Sequence, residues 1–179
     1  MNPYFTKINL DLTDCVNTAV KLESYTETAQ YFKLFTITDA CRDQVMAKFP
    51  IEMQPYITRI TYGAADHDLL PHRDIASCML NYYVEPAGGM TTFYNTRPYT
   101  KEKVWSHGAR SYISYDVNEL DKVEEFTAEK NSCYLLNVAE VHAVDNIKKT
   151  PRQILQFRFQ VAMSYYQAYN ILNLHKFVV

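Results

Sequence analysis

A chain of 179 residues with 47% hydrophobic and 21% charged residues is long enough for one domain with a real core, and too apolar for a disordered tail. Eighteen basic against twenty acidic residues leave a net charge of −2, which argues against nucleic acid as a partner held by bulk charge. The four cysteines, Cys15, Cys41, Cys78 and Cys133, show no C-x-x-C spacing and read as ordinary thiols of a reducing compartment rather than as zinc ligands.

In chain order, the opening MNPYFTKINLDL lacks both a basic n-region and an apolar run, and no later stretch approaches the ~18 apolar residues that span a bilayer. The expectation is a soluble, cytoplasmic protein with no membrane contact. Thr13 or Asp14 caps a helix through about Lys21, with Val16, Ala19, Val20 and Leu22 as its apolar positions. A second helix from Thr38-Asp39 to about Lys48 gathers Ala40, Val45, Met46 and Phe49 on one side, and YFKLFTI (31–37) between the two reads as a short strand. From Pro55 the character changes to strands, at 56–62, 78–84, 90–95, 103–107, 111–117, 123–128, 132–138, 141–146 and 152–162. EPAGG (85–89) reads as a hairpin turn joining 78–84 to 90–95. The tail 164–177 starts at a Ser164 cap and reads as a closing helix. Fifteen tyrosines and nine phenylalanines suit strands and aromatic-lined clefts. The expected architecture is one mainly β domain, a sandwich or barrel with helices on one outer face.

The chemistry concentrates at Leu70-Pro71-His72-Arg73-Asp74. On a helix, positions i and i+2 diverge; on an extended chain they face one side about 6.5 Å apart, close enough to share a metal. Pro71 drives Leu70 out of the α region, so an extended approach is expected. His142, 68 residues after Asp74 and flanked by Val141, Ala143 and Val144, is the candidate third ligand, and Arg152 follows ten residues later. Two histidines and a carboxylate form a facial triad with open positions suited to non-haem Fe(II), and an arginine nearby can anchor a carboxylate through a bidentate pair. On the last strand, Arg152, Ile154, Gln156 and Arg158 share a face expected to look into the barrel. Gln153, Leu155, Phe157 and Phe159 share the one expected to pack on the helices. Arg158 therefore competes as the anchor or reaches the substrate. His67 and His175 read as polar surface groups; His107 is the rival third ligand, but Val117 stands ten positions on. Arg73 is expected in solvent, and Trp105 with the loop 95–104 as a mobile lid.

The order H-x-D, distal histidine, then arginine, set in ITYGAADHDLLPHRD, LNYYV with GGMTTFY, and YLLNVAEVHAV with TPRQILQFRF, resembles the iron(II)/2-oxoglutarate-dependent dioxygenases, in feel the compact prolyl-hydroxylase-like members. The likeness covers about residues 56–160. It implies a double-stranded β-helix, jelly-roll or cupin-like, with a core barrel at about 56–162. In that picture the N-terminal helices and a C-terminal helix pack on the major sheet. It implies Fe(II) held by His72, Asp74 and His142, and 2-oxoglutarate held by Arg152 and by the hydroxyl of Tyr62, with Asn81, Tyr83 and Tyr134 as other donors on neighbouring strands. Ascorbate belongs to the same implied set. The implied activity consumes O2 and hydroxylates a small molecule or peptide, peptidyl proline or another amino-acid side chain being favoured, with succinate and CO2 as co-products. A non-catalytic jelly-roll binding or structural module is the alternative, and it leaves the joint spacing of the four residues unexplained. The sequence carries no signal of oligomeric state.

Overall fold

The computed structural model describes residues 1–19, 22–28, 32–107, 110–147 and 151–179, with the side chains of 17–19, 22–28, 32–34, 105–107 and 110–112 left aside. The strands are β1 (Phe5–Ile8), β2 (Leu22–Thr28), β3 (Phe32–Ile37), β4 (Ile57–Ala65), β5 (Leu69–Arg73), β6 (Met79–Glu85), β7 (Met90–Thr96), β8 (Lys103–His107), β9 (Arg110–Ser114), β10 (Leu120–Thr127), β11 (Ser132–Leu136), β12 (Val141–Asp145) and β13 (Arg152–Phe159). Three α-helices accompany them, α1 (Thr13–Ala19), α2 (Asp39–Met46) and α3 (Tyr165–Leu174).

The strands form two antiparallel sheets, ordered β1-β11-β6-β13-β4-β3-β2 and β10-β7-β12-β5-β9-β8. Leaving out the flanking strands, β11-β6-β13-β4 faces β10-β7-β12-β5, and the chain steps between the sheets from β4 through β7 and again from β10 through β13. That is the expected double-stranded β-helix. The expected hairpin is not there: β6 pairs with β11 and β13, while β7 pairs with β10 and β12. EPAGG is a crossover from one sheet to the other, turning on the positive φ of Ala87 (54°) and Gly88 (68°). Gly89 lies so close to the wall that an added Cβ would meet Ile147 Cγ1 at 3.3 Å.

Alternation sorts the core. Leu155, Phe157 and Phe159 of β13 join Leu80, Tyr82, Cys133 and Leu135 on the outer face of the larger sheet, where Cys15, Cys41, Val45, Ala168 and Leu172 of the helices cover them. Met79, Tyr83, Tyr134, Leu136 and Ile154 point inward and form the barrel's own cluster. Thr38 caps α2, and Ser164 with Gln167 makes a reciprocal capping box on α3. The Tyr165 hydroxyl lies 2.6 Å from Thr6 Oγ1 and 3.0 Å from the Asn2 carbonyl, fastening α3 to β1. β1 and β2 escaped the sequence reading, and β5 was expected only as an extended approach to His72; Leu22, expected in a helix, opens β2, while Val20 and Lys21 lie outside the described residues. Among the described residues no helix is long and apolar enough to cross a membrane.

Candidate metal centre

His72 lies on β5 and His142 directly opposite it on β12, with ring centroids 4.4 Å apart. The chain leaves β5 at Asp74, whose backbone N–H donates to the Val138 carbonyl at 3.0 Å, holding the crossover close to the start of β12. One ligand atom from each of His72, Asp74 and His142 lies within 4.8 Å of the other two. The extended backbone that lets His72 and Asp74 share a side is thus present.

Each imidazole is aimed by its own backbone. His72 Nδ1 lies 2.7 Å from the Leu70 carbonyl, and His142 Nδ1 lies 3.0 Å from the Glu140 carbonyl, each two residues back. A carbonyl can only accept, so Nδ1 is the donor in each ring, and Nε2 is the atom left to face a metal. Burial, reinforced by the neighbouring His72, pulls the His142 pKa down to about 4, against which the Asp74 charge works. His142 is therefore neutral at pH 7. The Phe93 ring flanks it, with centroids 5.9 Å apart.

Arg152 is 4% exposed at the start of β13. Its Nη2 donates to the Tyr83 hydroxyl at 2.8 Å and to Thr91 Oγ1 at 3.0 Å, and its guanidinium lies 4.8 Å from the Tyr83 ring centroid. Nε and Nη1 are buried with no hydrogen-bond partner. A buried cation with two unused donors is costly unless an anion satisfies them. Thr91 stands two residues before Phe93 on β7, so Arg152 and the histidine pair share one interior. The donor set of two imidazoles and one carboxylate, with this guanidinium behind it, fits Fe(II) and a dicarboxylate.

Tyr62 is elsewhere. It pairs in register with Leu155, on the outer face, and its hydroxyl donates to Gln153 Oε1 at 2.6 Å. The ten-residue spacing to His72 takes no account of strand parity: Tyr62 is in phase with Ile60, on the side that packs under the helices. Its place beside Arg152 is taken by Tyr83, one of the other donors expected on neighbouring strands, together with Thr91, which the sequence reading did not name. The signal for Thr91 was its position in the almost wholly buried strand MTTFY, where a hydroxyl needs a partner. Arg158 lies six residues beyond Arg152, about 20 Å along an extended strand. Arg73 is half-buried, with its guanidinium 5.6 Å from the Tyr115 ring centroid, rather than in solvent. His67 pairs with Asp66 and His175 with Glu52; the side chains of His107 and Trp105 lie outside the described residues. The segment expected as a lid is tethered: Arg97 binds Asp121 and the carbonyls of Asn118 and Leu120, and the Lys101 N–H donates to Glu119.

No protein-family model matches this sequence, and neither does any curated protein sequence. Solved structures match in fold. A 2OG-Fe(II) oxygenase-family oxidoreductase from Burkholderia pseudomallei is 12% identical over 87% of this chain and 80% of its own, with a TM-score of 0.46. Vicilin from hazelnut, Corylus avellana, is 12% identical over 78% of this chain and 31% of its own, with a TM-score of 0.44. A mutant oxalate decarboxylase from Bacillus subtilis is 11% identical over 79% of this chain and 29% of its own, with a TM-score of 0.40. The chain spans less than a third of the vicilin and decarboxylase chains. These likenesses concern the chain path alone.

Proposed function

We propose that this chain is an Fe(II)- and 2-oxoglutarate-dependent dioxygenase that hydroxylates a small molecule or an amino-acid side chain of a peptide, peptidyl proline being favoured by the family resemblance. The observation that carries the reading is Arg152: a buried guanidinium with Nε and Nη1 unsatisfied, in the same interior as the His72–Asp74–His142 cluster.

His72, Asp74 and His142 would hold the metal, and Arg152, steadied by Tyr83 and Thr91, would hold the far carboxylate of 2-oxoglutarate. Bound together, these two supply oxidative decarboxylation to succinate and CO2 coupled to insertion of an oxygen atom into a C–H bond. The protein's own residues do the rest. The Leu70 and Glu140 carbonyls accept from Nδ1 and turn each Nε2 toward the metal position. The inward ring of Phe93, beside His142, excludes water from one flank of the metal position. Arg152 offers its charge where burial makes it strongest, because little water competes there.

The test is anaerobic reconstitution with Fe(II) and 2-oxoglutarate. A weak visible charge-transfer band is expected, lost in His72→Ala and in Asp74→Ala. Arg152→Ala is expected to weaken 2-oxoglutarate binding by about 2–4 kcal/mol, the cost of removing a charge-assisted pair, with iron affinity little changed. A band that survives both ligand variants overturns the ligand assignment. Succinate formation is the catalytic readout.

A further inference from the structure

The inner face of the larger sheet carries a polar row that co-substrate anchoring does not use. Tyr134, Asn81, Gln156 and Thr61 are partners in register across β11, β6, β13 and β4. Their phase is inward, because Leu136, Met79, Tyr83 and Ile154, two residues away on the same strands, all lie in the interior cluster. Tyr134, Asn81 and Thr61 are buried, and Gln156 is half-buried. Polar side chains held inside a barrel need polar company.

This row stands level with the metal position. The Phe5 ring lies 6.1 Å from Phe93 and 6.3 Å from Tyr134, centroid to centroid, which ties the two walls together at this height. Phe93 is in register with His142, and His142 with His72. Arg152 makes the same link one step further along: it binds Tyr83 and Thr91, which lie two residues from Asn81 and from Phe93 respectively. The two sheets of such a sandwich stand about 10 Å apart. The row therefore faces the histidine pair across the space a substrate would fill.

One atom of the row is in deficit. Asn81 is 6% exposed, and its Oδ1 is buried without a hydrogen-bond partner. An acceptor left so is costly, and only a donor relieves it. 2-Oxoglutarate, with two carboxylates and a ketone, has no N–H or O–H to give. We infer that the substrate supplies the donor, an N–H close to the C–H bond that is oxidised, received by Asn81 Oδ1. This rests on the dioxygenase reading and narrows its substrate class to groups bearing an N–H. It leads away from the peptidyl prolyl ring, whose nitrogen carries no hydrogen. A site built to accept from an N–H rejects the analogue lacking it, because the buried oxygen is then left bare.

The experiment uses the full chain loaded with Zn(II), a diamagnetic stand-in, and saturating 2-oxoglutarate. Side-chain amide signals of 15N-asparagine are followed during titration with N-acetyl-L-alanine dimethylamide, its N-methyl derivative and N-acetyl-L-proline dimethylamide. Only the first has an N–H. The signal missing from Asn81→Ala belongs to Asn81. In the wild-type chain the N–H compound is expected to shift that signal and to bind about fivefold or more tightly than the other two, which should leave it still. In Asn81→Ala the preference should vanish while Zn(II) and 2-oxoglutarate affinities stay within about twofold. N–H-free compounds that bind the wild-type chain as well, an N–H compound that leaves Asn81 unmoved, or a preference that survives Asn81→Ala overturns the inference. Should Asn81→Ala not fold, the wild-type comparison of the three compounds decides, with the Asn81 signal assigned from backbone-linked spectra. Failure of the wild-type chain to take up Zn(II) would count against the metal reading instead, and the same titrations then judge Asn81 on the metal-free protein.

Discussion

At the scale of the residue, two tyrosines separate what spacing can say from what strand parity decides. Tyr62→Phe is expected to leave 2-oxoglutarate affinity unchanged and to cost about 1 kcal/mol of stability, the worth of its hydrogen bond to Gln153. Tyr83→Phe removes an acceptor from Arg152 Nη2 and should weaken 2-oxoglutarate binding, as calorimetric titration of the metal-loaded protein will show. The metal candidates were legible because H-x-D and a distal histidine have a meaning on any extended backbone. Tyr62 was misjudged because the phase of ITRITY matters more than its distance from His72: Ile60 and Tyr62 follow the outer core. Asp145 offers a titration. Burial first, and then the charge of Asp68, raises its carboxyl above the ordinary 3.8. The folded state therefore holds that proton more tightly than the unfolded chain, and ionisation costs stability as pH rises past the ordinary value. Asp145→Asn should raise Tm at pH 7 by about 1–2 °C, a modest gain because the group is partly solvated. The gain should vanish below pH 3.8.

At the scale of the element, helices and strand positions were readable and strand partners were not. Ser164 and Gln167 announced α3 by a reciprocal cap, and Ser164→Ala should lower stability by about 1 kcal/mol in chemical denaturation. β6 and β7 misled because both are buried along most of their length, so no polar face tells which neighbour each will take. A Gly-Gly turn between two such strands suits a hairpin and a sheet-to-sheet crossover alike. The crossover demands more of the backbone: Gly88→Ala meets a φ of 68° and Gly89→Ala meets Ile147. Each should cost on the order of 1 kcal/mol, read from denaturation midpoints. β1 and β2 went unseen because each gains its stability from a neighbour, β11 and β3 respectively, rather than from local pattern.

At the scale of the whole molecule, the interior is arranged so that ligand binding and folding reinforce each other. Saturation at about a hundred times Kd adds about 2.7 kcal/mol to stability. Mn(II) with 2-oxoglutarate should therefore raise Tm by roughly 5–10 °C, and His72→Ala should abolish most of the shift. The barrel was legible as a class from many short strands after a helical start. Of its flanking strands, β3, β8 and β9 were legible as strands though not as flanks, and β1 and β2 were not legible at all. Flanking has a consequence for β5, which in the eight-strand core would be the border of its sheet. Pairing of His72 with Ser114 and Arg73 with Ile113 places β9 beyond it, and β8 beyond that. A border strand frays in isolation, whereas one bonded on both sides opens only when its sheet does. The β8–β9 insertion thus acts as a splint: excising it would let His72 breathe, and ion affinity would fall while the rest of the barrel still stood.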